Sequence, residues 1–235
     1  MKKYYSGPEL DEIGEAIVRQ FYCNARSLPA CVDIERLVEE HLGLTICYKS
    51  IAEEPVRYGF LSDGIFPIKI AEDGKIHKEV FPKGTVVIEK AFLDPNNDGR
   101  RRFTIAHEAA HFILDRFIEK ASFNTVFDKE EKYSVDELKA IFAPSEYQVD
   151  RLAAALLMPA YLFNYNYALN FPRSTIKVYG SSTISFEDDV LINLFANSMR
   201  VSRTAMMIRL KNTGKFEYCP MDEYVSGVGA DSNAG

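Results

Sequence analysis

Arg102-Phe103-Thr104-Ile105-Ala106-His107-Glu108-Ala109-Ala110-His111-Phe112-Ile113-Leu114 is the stretch on which the reading of this chain turns. It places His-Glu-x-x-His in an otherwise apolar, strongly helical setting. On a helix, positions i and i+4 project from one face a turn apart, so His107 and His111 can both aim an imidazole nitrogen at one Zn²⁺. Glu108, one residue on, stands beside such a metal rather than on it, which suits a general base acting on water. The plain alternative is that these residues merely share an ordinary helix. The remaining histidines, His41 and His77, have no comparable neighbours and read as surface or partly buried side chains.

A catalytic zinc normally takes a third protein ligand. A third histidine in the extended pattern H-E-x-x-H-x-x-G-x-x-H would need Gly at 114 and His at 117, where this chain has Leu114 and Phe117. The common remaining solution is a carboxylate from a later helix. Ser145-Glu146-Tyr147-Gln148-Val149-Asp150-Arg151-Leu152 offers two acids one turn apart, bordering the apolar stripe of Val149, Leu152 and Leu156. Acids beside a buried face need partners, and zinc for Glu146 with the far N–H of a ligating histidine for Asp150 would satisfy both. The alternative is a capping role for Glu146 and a surface ion pair for Asp150. Glu119, Glu130, Glu131 and Glu137 also lie downstream of the histidines.

Outward from these segments the pattern is α+β. Leu10, Ile13, Ile17, Val18 and Phe21 recur at helical spacing over 9–26, and Asp33 caps a second helix that Gly43 stops. Short runs rich in β-branched and aromatic residues follow at 44–48, 60–61, 65–70, 76–81 and 85–88, separated by Gly-containing turns. Positions 44–89 therefore predict a small, mostly antiparallel sheet. The motif helix begins near Arg100, and 119–145 reads as a polar surface excursion with a short helix near 135–142. A further helix runs from 146 to 158, where Pro159 ends it, and 161–185 is aromatic and irregular. Two helices, 186–197 and 202–211, complete a helical carboxy-terminal part, and 221–235 is expected to be a disordered tail.

The 235 residues are 47% hydrophobic and 26% charged, enough for a substantial core, and the net charge of −6 argues against a nucleic-acid binder that relies on a whole-surface positive field. The amino terminus starts basic but reaches Pro8, Glu9, Asp11 and Glu12 before any apolar run, so no signal peptide is expected. No stretch approaches the roughly 20 apolar residues of a membrane span. Cys23, Cys31, Cys47 and Cys219 form no C-x-x-C pair and read as idle thiols, which with the missing signal peptide points to the cytoplasm.

The motif stretch, together with Glu146-x-Gln148-Val149-Asp150-Arg151-Leu152-Ala153-Ala154-Ala155-Leu156-Leu157-Met158-Pro159, resembles the ImmA/IrrE family of metallopeptidases. Weaker likeness extends to 32–44 and 199–210. The resemblance implies a zincin-like domain over 1–180 and Glu146 as the third zinc ligand in a gluzincin-like site; the helical extension over 181–220 has by its own residue pattern the look of a helix-turn-helix. It further implies an intracellular zinc metallo-endopeptidase acting as an antirepressor, which cuts a helix-turn-helix transcriptional repressor and releases a stress, phage or mobile-element programme. Departures from the family pattern are Ala110 where Gly is common, Val149 where Ala is common, Leu152 where an aromatic is common, and a long stretch between His111 and Glu146.

Three features stay open. Arg200, Arg203, Arg209 and Lys211 on the last two helices allow a DNA-binding reading, nearly balanced by Glu187, Asp188 and Asp189, so packing on the core is the expectation. The alternative function is thus a zinc-containing regulatory or DNA-binding protein without peptidase turnover. Arg100-Arg101-Arg102 reads as a solvated face with no assigned role. A tyrosine between Tyr161 and Tyr167 could donate a hydrogen bond to a developing oxyanion.

Overall fold

A computed structural model describes residues 5–53, 58–117 and 135–225 of the chain. Its α+β architecture follows the expected order. Helix α1 (Gly7–Phe21) is capped by Ser6, whose backbone N–H and hydroxyl both meet the Glu9 carboxylate, and it buries Leu10, Gly14 and Val18. Asp33 caps the short α2 (Ile34–Arg36), which runs on as a π-helical turn, Leu37–His41, before Gly43 reverses the chain at a positive φ of 70°.

Strand β1 (Thr45–Lys49) pairs in parallel with β5 (Thr85–Glu89), and β2 (Gly59–Leu61) pairs antiparallel on the other side of β5. Between them, β3 (Ile68–Glu72) and β4 (Lys75–Glu79) form an antiparallel hairpin whose turn residues Asp73 and Gly74 both have positive φ, as a tight two-residue reversal demands. The pairing is mostly antiparallel, as the sequence predicts, but the central β1–β5 pair is parallel. Parallel strands need a crossover, and the intervening β2 and hairpin supply it. The buried run Thr85-Val86-Val87-Ile88 is explained by this placement. Val86 and Ile88 enter the main core, whereas Val87 points the other way into a small cluster with Ile68, Ile70 and Phe81 under the hairpin.

Helix α3 (Asp98–Phe117) packs on β2 and β5 and on the long helix α4 (Val135–Leu157), which in turn packs on α1. Gly14 permits that last contact: a Cβ there would lie 2.6 Å from Cβ of Ala155. The separate short helix expected near 135–142 is instead the start of α4. Residues 143–145 between the two expected helices, Pro144 included, are helical as well, so no break parts them. Residues 118–134, the bulk of the expected surface excursion, lie outside the described residues.

The segment 161–185, irregular by sequence, holds α5 (Ala160–Asn170), begun by Pro159, and strands β6 (Ile176–Tyr179) and β7 (Thr183–Ile184). It was illegible for two reasons. Helix α5 is apolar and aromatic with little periodicity, and β6 pairs in parallel with the distant β8 (Phe216–Cys219). Helices α6 (Phe186–Ser198) and α7 (Arg203–Asn212) match expectation. Phe163, Tyr167, Phe171 and Phe195 form an aromatic cluster continuous with the core of α1, α3 and α4. Of the expected tail, residues 221–225 carry helical turns and 226–235 lie outside the described residues.

Ion pairs lock these layers together. Arg209 on α7, 1% exposed, donates to Asp11 of α1 at 2.6 Å, and Arg151 of α4 meets the same carboxylate. Arg102, expected on a solvated face, is buried and donates to the carbonyls of Val32 and Arg200, while Arg101 pairs with Asp98 and Glu35. The carbonyls that end neighbouring loops turn inward here, and a long guanidinium reaches them. Arg200, held at a positive φ of 54°, pairs with Asp98, and Arg203 pairs with Asp189. Three of the four cations behind the DNA-binding reading are therefore engaged within the chain.

Candidate metal centre

Helix α3 presents Thr104, His107, Glu108, His111 and Asp115 within an arc of about 100°. All five line an open cleft of about 690 Å³, faced across by Tyr58, Gly59, Phe60 and Leu61 at β2 and by Glu146 and Asp150 of α4. The opposite face of α3, with Ile105, Ala106, Ala109, Ala110 and Ile113, is in the core, so the motif helix is anchored on one side and chemical on the other. Of the three family departures, Ala110 on α3 and Val149 and Leu152 on α4 are all buried in the main core, and none is among the residues that line the cleft.

His107 Nε2 lies 3.2 Å from His111 Nε2 and 3.5 Å from Glu146 Oε2, and His111 Nε2 lies 3.8 Å from Glu146 Oε1. A tetrahedral ion with bonds of about 2.0–2.1 Å separates its ligand atoms by about 3.3 Å. The two shorter spacings fall close to that edge length, and among the described residues these three form the group whose donor atoms, all within 4.8 Å of one another, could hold a metal ion. Asp150 Oδ1 meets His107 Nδ1 at 3.0 Å. A carboxylate there accepts the Nδ1 proton and leaves the Nε2 lone pair facing the other donors, the tautomer a metal ligand needs.

The electrostatics agree. Burial lowers the His107 pKa, but the bond to Asp150 and the charges of Glu108, Asp150 and Glu146 outweigh it, so the net shift is upward. Burial and the neighbouring His107 push His111 down, against the carboxylates. The two rings are thus biased in opposite directions, His107 towards its protonated form and His111 away from it. Glu108 is 8% exposed and lies against β2 at Gly59: a Cβ on Gly59 would fall 2.4 Å from Thr104 Cγ2 and 3.1 Å from Glu108 Oε1.

Glu146 and Asp150 were expected to border a buried face; their side chains are 53% and 57% exposed. They stand on the open side of the cleft, so the histidines rather than burial account for their pairing. Of the other acids, Glu119, Glu130 and Glu131 lie outside the described residues, and Glu137 is about 13 Å before Glu146 along α4. No tyrosine of α5 lines the cleft. Tyr161 stacks under Arg19, and Tyr167 is in the aromatic core. Tyr58 does line it, as does Gly59; neither carried a local sequence signal, because only the pairing of β2 with β5 brings them to α3. His41 lies near Phe21 and His77 beside Glu79. The cysteines are free, and none is buried. No described helix is long and apolar enough to cross a membrane.

No curated protein matches the chain. The family model for peptidase M78, the IrrE N-terminal-like domain, matches residues 39–210, a span that includes both α3 and the cleft-lining half of α4. With most of its length matched and both motifs facing one cleft, the chain belongs to the peptidase M78 family of IrrE/ImmA-type metallopeptidases.

Proposed function

We propose that the chain is an intracellular zinc metallo-endopeptidase in which His107, His111 and Glu146 hold the metal, Glu108 is the general base and Asp150 orients His107. The observation that carries this reading is the close approach of two imidazole Nε2 atoms and a carboxylate, with Asp150 behind one ring. Two nitrogens and one carboxylate oxygen suit zinc, and three protein ligands leave the open position of a catalytic site. Zinc supplies Lewis acidity, which polarises a peptide carbonyl and acidifies water.

The chain's own residues do the rest. Glu108, largely shielded from bulk water between α3 and β2, takes a proton from the attacking water and returns it to the leaving amine. Strand β2 borders the cleft and among the described residues has β5 as its only strand neighbour, so its outer edge suits an extended polypeptide. An open cleft, rather than a closed pocket, favours cutting within a chain. The free cysteines are compatible with a reducing cytoplasm.

A helix-turn-helix repressor as substrate, with the chain as its antirepressor, follows from family likeness. The test is to incubate zinc-loaded protein with a purified helix-turn-helix repressor encoded beside it and to identify fragments by mass spectrometry. Wild type should cut at an internal bond, and Glu108→Gln should keep its zinc and lose cleavage. Equal cleavage by both would remove Glu108 from the mechanism.

A further inference from the structure

Glu108, Asp115, Glu146 and Asp150 line the cleft, and no lysine or arginine is among its lining residues. A divalent ion held by neutral imidazoles would leave that wall net negative. Three of the carboxylates have partners or roles already described. Asp115 is the fourth: it is exposed on the cleft face of α3, one turn and about 6 Å beyond His111, on which its charge acts, and among the described residues no lysine or arginine pairs with it. At the other end of the same helix face stands Phe103, about 18 Å away. The groove is thus aromatic at one end and acidic at the other, with the histidines between.

We propose that Asp115 is a specificity residue, selecting polypeptide segments that place a lysine or arginine side chain against it. An extended strand advances about 3.3 Å per residue, so that side chain falls within about two positions of the bond to be cut. The same carboxylate disfavours acidic segments, since like charges side by side penalise the wrong partner. The inference rests on the cleft being the peptidase site. Asp115 is solvent-facing, so the preference is modest, about two- to five-fold at low salt, and shrinks as salt screens it.

The test uses zinc-loaded full-length protein and sets of decapeptides identical except for a Lys, Gln or Glu moved through successive positions. Affinity is read by fluorescence anisotropy and cleavage by mass spectrometry, for wild type, Asp115→Asn and Asp115→Lys. Wild type should favour Lys over Gln over Glu at one or two positions; Asp115→Asn should bring the Lys-to-Gln ratio towards one, and Asp115→Lys should reverse the order. Absence of the Lys preference in both readouts, or its persistence in Asp115→Asn, overturns the assignment. So does a uniform loss on all peptides accompanied by weaker zinc binding, which would make Asp115 a support for His111. Lys-selective binding without cleavage would count against the peptidase reading and keep Asp115 only as a binding determinant of the cleft, without its tie to a cut bond, whereas cleavage without charge preference overturns the assignment of Asp115 alone.

Discussion

Replacing Gly59 by alanine tests the seam between β2 and the motif helix. Gly59 is not among the glycines at positive φ, so its backbone suits any residue. Were it surrounded by space, alanine would stabilise the protein by about 0.4–1 kcal/mol by restricting the unfolded chain. Instead the new Cβ would lie 2.4 Å from Cγ2 of Thr104, a distance at which something must move. Thr104 is β-branched and stiff on its helix, and its hydroxyl donates to the Arg100 carbonyl, so it cannot easily turn away. Overpacking of this kind costs about 1–3 kcal/mol. For a chain of this size that lowers the melting temperature by roughly 2–12 °C.

Thr104→Ser removes Cγ2 while keeping the hydroxyl, so in the Gly59→Ala background it should recover most of that loss. Calorimetry on the four proteins of the cycle measures the coupling, expected at about 0.5–3 kcal/mol. Turnover should recover less. The new Cβ would still lie 3.1 Å from Oε1 of Glu108, the proposed general base, and small displacements of such a group are costly. An unchanged or raised melting temperature for Gly59→Ala, or strictly additive losses in the double variant, would refute the proposed seam.

Two further outcomes follow from the site and its support. Glu146→Gln should weaken metal binding by at least the roughly 10-fold typical of lesser, supporting losses, as read by competition with a chromophoric chelator; unchanged affinity would place the third ligand elsewhere. Asp98 is raised by burial but held below the ordinary carboxylate value of 3.8 by Arg200, with Arg101 and Arg102 contributing, so its stabilisation is present above that value and is lost as pH falls below it. Asp98→Asn should therefore melt lower than wild type at pH 7, with the gap narrowing under more acid conditions, and a gap independent of pH would contradict the pairing.

Sequence alone brought the candidate site residues into view because each group of them is local in the chain. His107, Glu108 and His111 lie within two helical turns, and Glu146 and Asp150 within another, so helical periodicity brings the members of each group onto one face before any tertiary contact forms. The same locality made the cap at Asp33, the Asp73-Gly74 turn and the Pro159 break legible. What required the folded chain were pairings between distant segments. The parallel joining of β1 to β5, the small sheet that ties β6 to β8, the approach of Gly59 to Thr104 and Glu108, and the burial of Arg102 and Arg209 each depend on residues far apart in sequence. Periodicity reports which face of an element is apolar, not which partner will cover it. That Asp150 meets His107 and that Asp115 looks into the cleft with no described lysine or arginine beside it were therefore decided only when α4 and β2 closed on either side of α3.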